Sequence, residues 1–144
     1  MNKAIKKVAL ISTLGITLNV MHIGGMIMTS TNSMINSPKI TTQSQLERLV
    51  EERRKLIDPN NNYKIISELV SYNRGVSGIL KDGTGYGILI GGDFANVSVL
   101  DHELYHILDN HYDNFPKTKV GETLKYLYWA EPQAIIYQAF GVKL

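Results

Sequence analysis

Apolar positions change their period several times along the chain. From Val8 to Met28 they run almost without interruption and without charge. Further on, Leu46, Leu49, Val50 and Ile57 recur at helical spacing between Glu47, Arg48, Glu51, Glu52, Arg53 and Arg54. That pattern predicts an amphipathic helix over Thr42 to Ile57. The cluster Asp58-Pro59-Asn60-Asn61-Asn62 stops it. Tyr63 to Tyr72 carries Ile65, Ile66, Leu69 and Val70 and fits either a short helix or a strand. Two apolar arms, Val76 to Leu80 and Tyr86 to Ile90, flank a turn containing Asp82-Gly83 and predict a β-hairpin. Helical spacing returns from Asn96 to His111, and again from about Val120 to Phe140 with an interruption at Pro132. A hairpin set among helices predicts a small α+β domain.

The first apolar run changes how the chain divides. Lys3, Lys6 and Lys7 precede it and the small polar stretch Thr29 to Ser33 comes after it. Positive start, apolar middle and small-residue exit are the order of a secretory signal. The run also approaches the roughly 20 residues that span a bilayer. Residues 1–33 are therefore expected to be a signal peptide or an N-terminal membrane anchor. Asn19 and His22 interrupt the run, and both are costly at a membrane centre. Lysines ahead of the run place the C-terminal part of the chain outside the cytoplasm, secreted or anchored. Residues 34–41, polar around Pro38, read as a linker, and 42–144 as the working domain.

Composition narrows the chemistry. The 144 residues carry a formal charge of +2 with no basic stripe, which argues against nucleic acid as a partner. There is no cysteine, so thiol nucleophiles, disulfides and Cys-based metal sites are excluded. Any metal must be held by His, Asp or Glu. The glycines around Asp82-Gly83 lack both the dinucleotide spacing and the Walker lysine, so they read as turn residues.

His102-Glu103-Leu104-Tyr105-His106 then stands out. Residues i and i+4 of a helix share a face, so both imidazoles can reach one ion while Glu103 addresses water on it. Val97, Leu100, Leu104, Ile107 and Leu108 fall on a separate stripe, which leaves the histidines facing a cleft. Zinc with three protein ligands keeps a position open for water.

The third ligand is less direct. A third histidine at the usual spacing is excluded, because Asp109 and Tyr112 occupy the Gly and His positions of that pattern. His111 is one residue off, with no turn glycine before it, and Asp113 would need a sharp bend. Glu131, 25 residues after His106, is the preferred carboxylate and Glu122 the fallback. Pro132 sets Glu131 at a helix start, where a glutamate also serves the helix dipole. Asp109 and Asp101 are candidates to orient a ligating histidine. Tyr126, Tyr128 and Tyr137 are candidates to donate to a developing oxyanion.

His102-Glu103-Leu104-Tyr105-His106-Ile107-Leu108-Asp109, together with the later Glu131-Pro132-Gln133-Ala134, resembles the gluzincin metallopeptidases, most closely the lethal-factor-like and Pro-Pro endopeptidase group. The resemblance implies a zincin-like fold, with His102, His106 and Glu131 as zinc ligands and Glu103 as catalytic base. It also implies that the strand Tyr86 to Ile90 is the sheet edge that pairs with an extended peptide. Two positions depart from the family: Leu124 stands where it has a tyrosine, and Ile135 where it has a second glutamate.

The expected function is zinc-dependent hydrolysis of a peptide or protein substrate. Membrane contact is expected only through an uncleaved N-terminal segment. One alternative is a catalytically inactive, truncated zincin acting as an exported metal- or peptide-binding module. Another is an anchored structural protein whose two histidines face solvent.

Overall fold

The computed structural model describes residues 3–57, 59–60, 62–112, 116 and 118–143, with side chains from Ile16 onward and without that of Ile57. The helix stop at Asp58 and Asn61, the inward side chain expected of Ile57, and Asp113 therefore lie outside the described residues.

Among the described residues, five helices and three strands follow in the order α1 (Lys3–Ile35), α2 (Gln43–Ile57), β1 (Ile65–Val70), β2 (Arg74–Ile79), β3 (Tyr86–Gly91), α3 (Val97–Leu108), α4 (Lys119–Lys125) and α5 (Glu131–Phe140). A 3-10 turn, Gly92–Phe94, joins β3 to α3, and a π-turn, Tyr126–Ala130, joins α4 to α5. The molecule is α+β. The ambiguous segment after the Asn-rich stop is a strand, β1, because it finds the free side of β3 and pairs with it in parallel.

The hairpin forms as the sequence implies. Ile79 of β2 faces Tyr86 of β3, and the register runs to Arg74 opposite Gly91. Gly83 turns the corner at φ +69°, a left-handed conformation that glycine adopts without steric cost. Sheet order is β1-β3-β2, so β3 is the central strand. This corrects the expectation that Tyr86 to Ile90 forms the edge. A hairpin fixes β2 and β3 as neighbours but leaves open which side a third strand joins. β1 took the free side of β3, and β2 became an edge. Ile88 and Ile90 are fully buried, as befits a strand covered on both sides.

Helix α2 packs on β1 and α3, while α3 lies across β2 and β3. Leu46, Val50, Ile88, Ile90, Leu100, Leu104 and Ile107 meet in this layer with almost no exposure. Each large side chain so buried contributes about 1.5–3 kcal/mol. On the other side of α3 lies α5, with α1 packed along it.

Residues 31–41 are polar in composition yet belong to this packing. α1 runs to Ile35, Lys39 bridges to Asn96, and Ile40 is buried in the core. Its apolar side chain is hidden among polar neighbours in the sequence. The outer face of α1 exposes Ile16, Leu18, Val20, Met21, Ile27 and Met28. Among the described residues no helix is long and apolar enough to cross a membrane.

Candidate metal centre

Helix α3 carries the centre, and both of its ends are specified locally. Asn96, fully buried, caps the N-terminus by accepting from the Val99 amide at 2.9 Å, a contact of a kind that stabilises by about 1 kcal/mol. At the other end Asn110 takes the left-handed conformation, φ 52°. The amides of Asn110 and His111 then close onto the carbonyls of Ile107 and His106, at 3.2 and 3.0 Å. These are the paired bonds of a Schellman ending, with asparagine in the place glycine usually holds. The turn that His111 lacks a glycine for is therefore supplied by Asn110.

His102 and His106 point from α3 toward Glu131 on α5. The two Nε2 atoms are 3.1 Å apart. Glu131 Oε1 is 3.2 Å from His106 Nε2, and Glu131 Oε2 is 3.6 Å from His102 Nε2. Ligands held about 2.0–2.1 Å from a tetrahedral ion stand about 3.3 Å from one another. The three side chains thus already occupy three corners of such a site. Of the expected carboxylates, Glu131 joins the histidines; Glu122 is exposed on α4 and does not.

The surrounding hydrogen bonds leave lone pairs facing inward. Gln138 Oε1 lies 3.0 Å from His102 Nδ1 and accepts its proton. His106 Nδ1 lies 2.9 Å from His111 Nδ1. His111 in turn places Nε2 at 2.9 Å from Gln133 Oε1 and 3.1 Å from Asp109 Oδ2. With His111 donating from Nε2, its Nδ1 accepts from His106. Both histidines then present a bare Nε2 to Glu131. Glu131 Oε1 is buried and takes no hydrogen bond. Three electron-pair donors meeting in this way repel one another unless a cation or protons sit between them. The donor set therefore fits a metal ion, and His102, His106 and Glu131 form a group able to hold one.

The charges reflect the same convergence. Protons can fill the same gap: burial opposes ionisation of Glu131, but donors on His102, His106 and Tyr126 outweigh it and hold the carboxyl far below the usual range. Burial likewise opposes a charged His102, and Glu131 and Glu103 beside it raise its pKa nonetheless.

Glu103 turns the other way, toward β2. Tyr112 donates to Ser77 Oγ at 2.6 Å, and Ser77 donates on to Glu103 Oε2 at 2.5 Å. Tyr112 is set in place by a tilted ring contact with Tyr86, which packs edge-on against Tyr63. Gly75 allows the approach of β2, since a Cβ there would lie 2.8 Å from Val99 Cγ1. Glu103, His102, Glu131 and Gly75 line one cavity of about 220 Å³.

Tyr126 completes the cavity. Its ring stacks on His106 at 5.9 Å, and its hydroxyl contacts Glu131. Burial, together with the Glu131 contact, raises its pKa, so the hydroxyl keeps its proton and acts as a donor. The π-turn brings it there. Proline clashes with the carbonyl four residues earlier and lacks an N–H, and the wider turn before Pro132 relieves both. The Glu131 amide bonds the Tyr126 carbonyl five residues back. The interruption expected at Pro132 is thus a widened turn just ahead of it, and Glu131 itself keeps helical angles of φ −62° and ψ −47°.

The other expected helpers lie elsewhere. Tyr128 stacks on His22 and Tyr137 on Tyr105. Asp101 pairs with Arg53 at 2.6 Å and orients no ligand, while Asp109 acts through His111. Gln138, Ser77 and Tyr112 join the site without being expected from the sequence. Gln138 had a usable signal, since it lies two helical turns beyond Glu131 on the same face. Ser77 and Tyr112 had none.

No protein-family model, curated protein or solved structure matches the chain.

Proposed function

We propose that the chain is a zinc-dependent peptidase of zincin-like architecture, working outside the cytoplasm. The observation that carries this reading is the convergence of His102, His106 and Glu131 with Glu103 in the same cavity. Two imidazoles and a carboxylate at tetrahedral spacing suit zinc among the divalent ions. His102 and His106 would hold it from α3 and Glu131 from α5. When bound, the ion supplies a Lewis acid that acidifies water and polarises a carbonyl.

The chain's own residues account for the remaining work. Glu103, held by Ser77, accepts a proton from the attacking water and delivers it to the leaving amine. Tyr126 donates to the oxyanion that develops on the scissile carbonyl. It does so from a position two residues later than the tyrosine of the resembled family, at the start of the π-turn and in the wall of the cavity. The edge strand β2 runs beside the cavity through Gly75, with its outer side free of sheet partners among the described residues. An extended peptide can add to that edge and bring its carbonyl to the centre.

The test is cleavage of a mixed peptide library by the zinc-loaded full chain. The reading requires products in the wild type and none in Glu103→Gln at equal zinc content. Products in both would remove Glu103 from the chemistry. Products in neither, with zinc bound, would favour a metal- or peptide-binding module without catalysis.

A further inference from the structure

The inward face of α1 is addressed to the centre residue by residue. His22, Ser30 and Ser33 lie along one side of the helix, at spacings of eight and three. Each finds a polar partner on the domain.

His22 Nε2 lies 3.3 Å from the carbonyl of Leu127. Within the π-turn that carbonyl has lost both ordinary donors. The Glu131 amide is committed to Tyr126, and the next candidate, Pro132, has no N–H. His22 therefore supplies the hydrogen bond that the helix cannot. Ser33 Oγ sits 2.6 Å from Ser98 Oγ and donates to the Gln138 carbonyl at 3.2 Å.

Ser30 reaches furthest into the centre. Its hydroxyl donates to Gln138 Oε1 at 3.2 Å, and the Gln138 amide donates back to the Ser30 carbonyl at 3.4 Å. The same Gln138 Oε1 accepts from His102 Nδ1 at 3.0 Å. A continuous path of hydrogen bonds thus runs from α1 to a ligand histidine. Such partners fix ring orientation and tautomer, and their loss typically weakens metal binding about 10–100-fold.

We infer that α1 is a retained part of the metal centre, with Ser30 positioning the His102 ring through Gln138. This rests on the proposed metal site. It favours an N-terminal segment that stays on the chain over one removed after Ser33, because removal would take Ser30 and His22 with it.

The test uses the full chain and its variants Ser30→Ala, Ser30→Thr and Gln138→Leu. Zinc affinity is measured by competition with a chelator, and the cobalt(II) form is followed by its visible absorption, which reports ligand geometry. Gln138→Leu should bind zinc about 10–100-fold more weakly. Ser30→Ala, one bond further out, should lose several-fold and shift the cobalt bands, and Ser30→Thr should restore both. Metal-free unfolding temperatures should stay close to wild type, which separates positioning from general loosening. If the wild type binds zinc and Ser30→Ala matches it in affinity and spectrum, α1 merely packs against the domain and the inference is wrong. If the wild type binds no zinc, the proposed metal site fails and this inference with it.

Discussion

In the proposed reaction Glu103, Tyr126 and Glu131 have distinct roles that substitution can separate. Glu131 contributes a donor atom, so Glu131→Gln should weaken metal binding. Glu103 bonds Ser77, outside the donor set, so Glu103→Gln should keep the metal and abolish cleavage. Tyr126→Phe removes only a hydroxyl. Loss of one oxyanion donor typically lowers kcat about 10²–10³-fold, and Tyr126→Phe should do the same with zinc content unchanged. Parallel metal analysis and peptide kinetics distinguish these outcomes; a Tyr126→Phe enzyme of normal kcat would assign the oxyanion to another group. Tyr112 is an alternative donor, but Tyr126 lines the cavity and Tyr112, bonded to Ser77, is not among its lining residues.

At the scale of elements, the π-turn and the edge strand do the positioning. Gly75 lets β2 approach α3, where a Cβ would meet Val99 at 2.8 Å. Overpacking of this kind typically costs about 1–3 kcal/mol. Gly75→Ala should therefore lower the midpoint of denaturant unfolding and loosen the Ser77–Glu103 contact. An unchanged midpoint would show that Val99 yields without cost. The elements also mark what the sequence could disclose. α3 was legible because its apolar stripe and its two histidines obey one helical period. The hairpin was legible from Asp82-Gly83 between apolar arms. The partner of β3 was not, because strand order depends on contacts distant in sequence. Nor was the route of Tyr126 into the site, because a π-turn shifts the phase of every side chain after it. Gln138 shares a face with Glu131 and was within reach of the same periodicity argument. Ser77 meets Glu103 only through the pairing of layers, which no local pattern encodes.

For the whole molecule, the centre joins parts that the sequence keeps separate. α3 supplies two of the donors that could hold a metal ion, α5 the third, β2 the support for Glu103, and α1 the brace for Gln138. A ligand that binds only the folded state stabilises it, by about 2.7 kcal/mol at a hundred times its Kd. Zinc should therefore raise the unfolding temperature of the wild type and leave that of His106→Ala unmoved, as calorimetry with and without metal can establish. The most direct measurement is the metal content of the purified full chain after supply of zinc, set beside His106→Ala and Glu131→Gln. A zinc centre built on His102, His106 and Glu131 should hold about one zinc per wild-type chain, with none retained by His106→Ala and weakened binding in Glu131→Gln. A folded wild type that holds no zinc, or one that holds it equally well in all three proteins, would contradict it.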